Sequence, residues 1–330
     1  LKVLITGCAG YIGSVVSKFL LEKGVEVVGL DNLSTGNTMN IPDQVDFFYA
    51  SIADVTTLKQ ILVKHRDIDC VIHLAGYIEV AESVLDPDKY YRNNYNNSKT
   101  FVDFLISQNI TNIIYSSTAA VYSPPTKRVK LAENHATSPI NPYGESKLMF
   151  EQYLQKKPEL NYVTFRFFNA SGAFGRYGEC HQPETHLIPI VIDFALDRRD
   201  KLYVFGDDYD SDDGTAIRDY IHVLDLSIAH YLALKALYNK NSKIQRQTFN
   251  LGYGRGFSVK HIINMVEKLT AKPIKYQVKP RRDGDPPYLV ANTEKIEHLL
   301  GFKPKHDNIL HIINDAIKHR EYYYRSLDRK

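Results

Sequence analysis

Cysteine is scarce in this 330-residue chain: Cys8, Cys70 and Cys180 are odd in number and far apart. That excludes a disulfide framework and points to a reducing compartment. No apolar run approaches the ~18–20 residues that cross a membrane. No leader-like segment stands before the first strand pattern, so a cytoplasmic setting without membrane partners is expected. A surplus of either charge sign is missing too. Lys and Arg number 41 against 38 Asp and Glu, a net +3, too mild to imply a nucleic-acid partner. Internal repeats and low-complexity tracts are absent. Cys180, His181 and His186 match no familiar zinc spacing. The acid-rich stretch 207–213 lacks the glycine spacing of a calcium loop and reads as a solvated loop. No metal is therefore expected.

What is present is an ordinary globular composition, 44% apolar and 24% charged, long enough for one large or two modest domains. Short apolar runs alternate with helical patterns through the first half, the mark of an α/β parallel sheet. Strands are expected at 2–6, 25–30, 47–51, 70–74, 113–117 and 162–167. Helices are expected at 11–23, 55–65, 90–108 and from about 142 to 156. After about residue 175 the rhythm breaks and Gly, Pro and Asp become frequent. The expected organisation is a doubly wound nucleotide-binding domain at 1–175 and a smaller C-terminal α/β substrate domain at 176–330. Segments near Ile221 and at 249–251, within 219–255, read as strands returning to the first domain.

Gly7-Cys8-Ala9-Gly10-Tyr11-Ile12-Gly13 lies between the first strand and the first helix. Glycines let the backbone turn tightly beside a pyrophosphate, and the helix N-terminus offers free N–H groups. This is the phosphate turn of a Rossmann sheet. Asp31, eighteen residues beyond Gly13, suits an adenosine ribose and would repel a 2′-phosphate. Its neighbour is Asn32 and not arginine, so NAD is expected over NADP. Leu74, Ala75 and Gly76 end a strand on the ligand side, with His73 as a hydrogen-bonded structural residue and Asn94 within reach. Ser116, Ser117 and Thr118 end another strand there. Tyr143 and Lys147 are four residues apart, on one helix face. A neighbouring ammonium favours the phenolate and lowers a phenol's pKa from about 10, which suits proton exchange with a sugar hydroxyl.

The glycine turn, Asp31, Thr118, Tyr143 and Lys147 resemble the extended short-chain dehydrogenase/reductase superfamily. Asp213-Gly214-Thr215, the run from Arg218 to Val223, Phe168-Asn169 and Arg281-Arg282-Asp283-Gly284-Asp285 are similar to the UDP-glucose (UDP-galactose) 4-epimerases within it. The resemblance runs from Lys2 to about Lys303. It implies bound NAD that takes the C4 hydride of a UDP-hexose and returns it to the other face of the 4-keto sugar. It implies Tyr143 as acid/base, Thr118 as its assistant, and Lys147 as tuner and NAD ligand. Tyr11, Ile12, Ser51, Ile52, Ser116 and Phe168 join the glycines at the cofactor. Arg218 and Arg282 suit the diphosphate as fork-like donors. Asp285 suits the uridine ribose, Phe205 the uracil face, and Asn169, His186, Leu187 and Tyr203 the rest of the nucleotide sugar.

Some positions depart from the family pattern. Ser51 stands where many relatives carry an acid, Ile78 where some carry lysine, and His186 where some use asparagine. Leu289 is intermediate between the bulky and small residues that govern room for a 2-N-acetyl group, so UDP-N-acetylhexosamine stays open. UDP-hexuronate stays open as well, although it needs a cation for the C6 carboxylate. A dehydratase or decarboxylase needs a further acid or base after Thr118, where Ala119 and Ala120 stand. A silent NAD sensor usually loses the Tyr or the Lys. Phe101, Phe104 and Phe150 either face a symmetric four-helix homodimer contact or fill the monomer core; the homodimer is the expected state.

Overall fold

The computed structural model describes residues 1–239, 242, 244–282 and 285–328. Asp283 and Gly284 of the arginine-rich motif lie outside these residues. In chain order the first half runs β1 (Lys2–Thr6), α1 (Tyr11–Glu22), β2 (Glu26–Asp31), β3 (Asp46–Tyr49), α2 (Val55–Lys64), β4 (Cys70–His73), α3 (Val80–Leu85), α4 (Pro87–Tyr90), a π-helical turn (Tyr91–Asn97), α5 (Ser98–Ser107), β5 (Asn112–Thr118), α6 (Pro142–Gln155) and β6 (Asn161–Phe167). The second half runs β7 (Asn169–Ser171), α7 (Leu187–Ala195), β8 (Tyr203–Phe205), β9 (Ile217–His222), α8 (Val223–Tyr238), β10 (Gln247–Leu251), β11 (Gly256–Ser258), α9 (Val259–Thr270), β12 (Gln277–Lys279), β13 (Tyr288–Leu289), α10 (Glu294–Leu300) and α11 (Ile309–Leu327).

The main sheet has seven parallel strands in the order β10-β6-β5-β4-β1-β2-β3. Val3, Leu4 and Ile5 of β1 are all buried, as a strand covered by helices on both faces requires. One apolar layer joins α1 and α8 to the sheet through Val15, Val16, Leu226 and Ala233. The other joins α2, α5 and α6 through Leu58, Phe101 and Phe150. Phe101 and Phe150 therefore belong to the monomer core, while Phe104 is half-buried. A further core gathers α7, α9 and α11 around Val191, Ile263 and Ile313.

Two expectations change. The segment near Ile221 is a strand, β9, but it pairs with β7, β11 and β13 and not with the main sheet. The run at 249–251 does join that sheet, as β10 beside β6. The single helix expected at 90–108 is interrupted by the π-helical turn, which carries Asn94. Such wide turns are rare and gather at functional sites.

Candidate active site

The carboxyl ends of the main strands face a cleft of about 1060 Å³. It opens where strand order reverses between β1 and β4, the place such sheets bind ligands. Gly7, Leu74, Ser116 and Phe168 reach it from the ends of successive strands. The far wall comes from the second half of the chain, with His186, Leu187, Tyr203, Phe205, Arg218, Arg282 and Asp285.

Tyr143 and Lys147 enter from the first turns of α6. Asn141 caps that helix by accepting from Gly144 N at 2.8 Å, and Pro142 is preset for its first position. Lys147 is buried, and its Nζ donates to Ser116 O at 2.8 Å and lies 5.0 Å from the Tyr115 ring centre. Burial lowers its pKa to about 8, against the pull of Glu151. The phenol differs from the sequence expectation. Burial raises the pKa of Tyr143 above 10, the Thr118 hydroxyl opposes that rise, and the Glu79 carboxylate adds to it. The Lys147 ammonium is engaged by the Ser116 carbonyl. Thr118 ends β5, and its Oγ1 accepts from Ala120 N at 3.1 Å.

The glycine turn fits a dinucleotide. Gly7 has φ +74°, and a Cβ there would meet Ala75 N at 2.7 Å. A Cβ on Gly13 would meet Gly7 O at 2.0 Å. Gly10 caps α1 without a side chain, so the first-turn amides of Tyr11, Ile12 and Gly13 open on the cleft. Gly76 keeps its neighbours close: a Cβ would sit 3.3 Å from Lys147 Nζ and 3.2 Å from Asn94 Oδ1. Asn94 accepts from Tyr77 N at 2.9 Å and donates to Tyr77 O at 3.0 Å, so it shapes the wall without lining it. Asp31, Asn32, Ser51, Ile52 and Ala75 do not line the cleft either. Asp31 accepts from Ala9 N at 3.0 Å and Leu33 N at 2.8 Å. Asn32 and Ser51 hold local turns through Ser34 N and Ala53 N, and Ile52 packs in the core. His73 is structural, bound by Thr6 Oγ1 at 2.7 Å and Ser98 Oγ at 2.9 Å, with burial depressing its pKa to about 3.

On the far wall, Arg218 and Asp285 bond to each other. The Arg282 guanidinium lies 3.9 Å from the centre of the Phe205 ring, so one face of that ring is already covered. Asn169 pairs in register with Tyr220, between the sheet end and β9. The acidic stretch 207–213 is largely solvent-exposed, as expected, and several of its acids are paired. Asp208 accepts from Arg281 Nε at 2.7 Å, Asp210 pairs with Arg128, and Asp213 accepts from Thr215 N at 2.9 Å.

Sequence reasoning passed over Glu79, Glu179 and Glu184. The first two line the cleft, and Glu184 is buried beside it. His186 caps α7, whose first residue is Leu187, and its Nδ1 lies 2.9 Å from Glu184 Oε1 and 3.8 Å from Glu179 Oε2. Burial opposes its charge, but the bond to Glu184 and the nearby carboxylates outweigh this and raise its pKa to about 9. Glu179, Glu184 and His186 thus converge, whereas Cys180 turns to Asn40 Nδ2 at 3.1 Å. The spacing Glu-x-His-x-x-Glu-x-His at 179–186 was the available signal.

Residues 3–252 match the profile of the NAD dependent epimerase/dehydratase family. A UDP-glucose 4-epimerase of Halalkalibacterium halodurans is 44% identical over 321 residues, 96% of this chain and 94% of that protein. The crystal structure of UDP-glucose 4-epimerase from Brucella ovis in complex with NAD superposes with a TM-score of 0.90 at 41% identity, covering 96% of this chain and 98% of that one. That from Bifidobacterium longum in complex with NAD+ and UDP gives 0.90 at 32% identity, covering 98% of each chain.

Proposed function

The chain belongs to the NAD dependent epimerase/dehydratase family, and from that premise we propose that it interconverts UDP-galactose and UDP-glucose by oxidation at C4, rotation of the 4-keto sugar and re-reduction. One observation carries the reading. The glycine turn, the Thr118–Tyr143–Lys147 set and the Arg218 and Arg282 cations open on the same cleft.

NAD supplies the acceptor for the C4 hydride and the donor that returns it. The first-turn amides of α1 would hold its diphosphate, and Lys147, close to Gly76 and Ser116, would hold ribose hydroxyls. Tyr143 takes the proton from O4 and gives it back, with the Thr118 hydroxyl bridging phenol and substrate. Arg218, Arg282 and the Leu187 amide at the start of α7 hold the UDP diphosphate. The nucleotide is gripped by charge while the hexose is not, which leaves the oxidised ring free to present its other face.

A second reading, turnover of UDP-N-acetylhexosamines, rests on Leu289, which lines the cleft and is intermediate in bulk. A homodimer built on α5 and α6 is supported by the half-buried Tyr95, Phe104 and Tyr153 on adjoining helices. The three buried, unpaired thiols support a cytoplasmic setting. No described helix is long and apolar enough to cross a membrane.

Purified protein incubated with UDP-galactose is expected to release UDP-glucose without added oxidant. NAD retained with no turnover would sink the reading, and a 6-deoxy-4-keto product would replace it with a dehydratase.

A further inference from the structure

Glu79 stands three residues after Gly76, just ahead of α3, on the cleft wall shared with Tyr143. Its side chain is 16% exposed. Oε1 accepts from Thr185 Oγ1 at 3.0 Å and lies 3.5 Å from His181 Nδ1. Both contacts use one oxygen, and among the described residues Oε2 has no partner. A carboxylate offers about four lone-pair sites, so acceptor capacity and charge are left facing the cleft. Helix α3 packs on α6, which carries Tyr143. Glu79 and Tyr143 line the same cleft, and the Glu79 charge adds to the rise in the phenol's pKa.

Cations along this wall are committed elsewhere. His186 is shared between Glu184 and Glu179. Arg320 pairs with Asp193 and lies 3.7 Å from Glu184. Lys147 donates to Ser116 O, Arg218 to Asp285, and Arg282 covers Phe205. Glu179 and Glu184 therefore share His186, with Arg320 near Glu184, and the imidazole beside Glu79 is that of His181.

We propose that Glu79 is a specificity-determining residue that restricts the cleft to hexoses uncharged at C6 and rejects UDP-hexuronates. The inference rests on the 4-epimerase reading. C6 hangs from the ring carbon next to C4, so it stays near O4 whichever face the sugar presents. Tyr143 must reach O4, and a charge that acts on Tyr143 also acts on the C6 substituent in both orientations. A hydroxymethyl group is neutral there and can donate to Oε2. A C6 carboxylate sets like charges together in a half-buried site, where screening by water is weak. Selection then works by repulsion of the wrong sugar.

The test compares kcat/KM for UDP-galactose and UDP-galacturonate in the wild type, Glu79→Gln and Glu79→Ala, with bound NAD confirming an intact fold. The wild type is expected to prefer UDP-galactose by at least a hundredfold. Both variants are expected to shrink that ratio at least tenfold, mainly by admitting the uronate. Titration calorimetry of the uronate in varied salt adds a readout that a purely structural role would not move: wild-type binding is expected to tighten with salt relative to Glu79→Gln. An unchanged ratio in both folded variants, with UDP-galactose still turned over, overturns the inference alone. Loss of UDP-galactose turnover in the wild type overturns the underlying reading instead.

Discussion

Arg218 and Asp285, 67 positions apart in sequence, are hydrogen-bonded on the far wall of the cleft. Arg218 also donates to Ile217 O at 2.8 Å. The guanidinium is thereby oriented before any ligand arrives, which lowers the ordering cost of binding an anion. Replacement by lysine keeps the charge and loses the fork. Arg218→Lys is expected to raise KM for UDP-galactose at least tenfold with a smaller change in kcat, because the lost contact is made in ground and transition states alike. Steady-state kinetics decides, and an equal fall in kcat with unchanged KM would contradict a binding role.

Tyr143→Phe removes one oxygen from a half-buried site without touching the glycine turn. Turnover is expected to fall by about 10²–10⁴, the usual scale of a lost general acid/base. NAD content, read from nucleotide released on denaturation, is expected to match the wild type. Near-normal turnover would remove the phenol from the mechanism.

His186 makes the apoprotein's stability depend on pH. Its pKa is raised from 6.5 to about 9, so the folded chain holds a proton that the unfolded chain releases. That stabilisation is fully present below about pH 6.5 and is lost as pH rises through 9. His186→Asn is expected to lower Tm at pH 6, with the deficit shrinking towards zero above pH 9. A deficit independent of pH would show that packing, not charge, is what His186 contributes.

Glu151 and Arg166 form a buried pair between α6 and β6, with Nη2 to Oε2 at 2.6 Å and Nε to Oε1 at 3.0 Å. Removing one partner leaves a buried charge uncompensated, which typically costs about 3–5 kcal/mol. Glu151→Ala is expected to lose about that much in urea unfolding. It also withdraws the carboxylate that supports the Lys147 charge. A loss below about 1 kcal/mol would show that water reaches Arg166 once the pair is broken.

The sheet was legible because its inner strands are buried on both faces and carry short continuous apolar runs, as in Lys2–Thr6 and Cys70–His73. The glycine turn and the Tyr143–Lys147 pair were legible because each is local, set by one turn of chain. What escaped depends on distant segments meeting. β9 resembles any other strand until its partners β7, β11 and β13 are known. Asp208 is exposed, and its surface pairing with Arg281, 73 residues on, is not visible from the sequence. Phe205 reads as a free aromatic wall until Arg282 covers one face. Glu79 went unremarked, and only the packing of α3 on α6 sets it on the cleft wall with Tyr143. The π-helical turn differs from an α-helix by the width of one turn, which the apolar periodicity at 90–108 does not record.

The edge strand β10 comes from residues 247–251, after the whole of the far wall up to β9 and α8 has been laid down. A chain emerging from the ribosome therefore cannot finish its sheet until roughly three-quarters of the polypeptide has been made. Until then β6 presents an open, hydrogen-bond-hungry margin. Fragments stopping near residue 175 inherit that exposed border permanently and are prone to pair with one another through it.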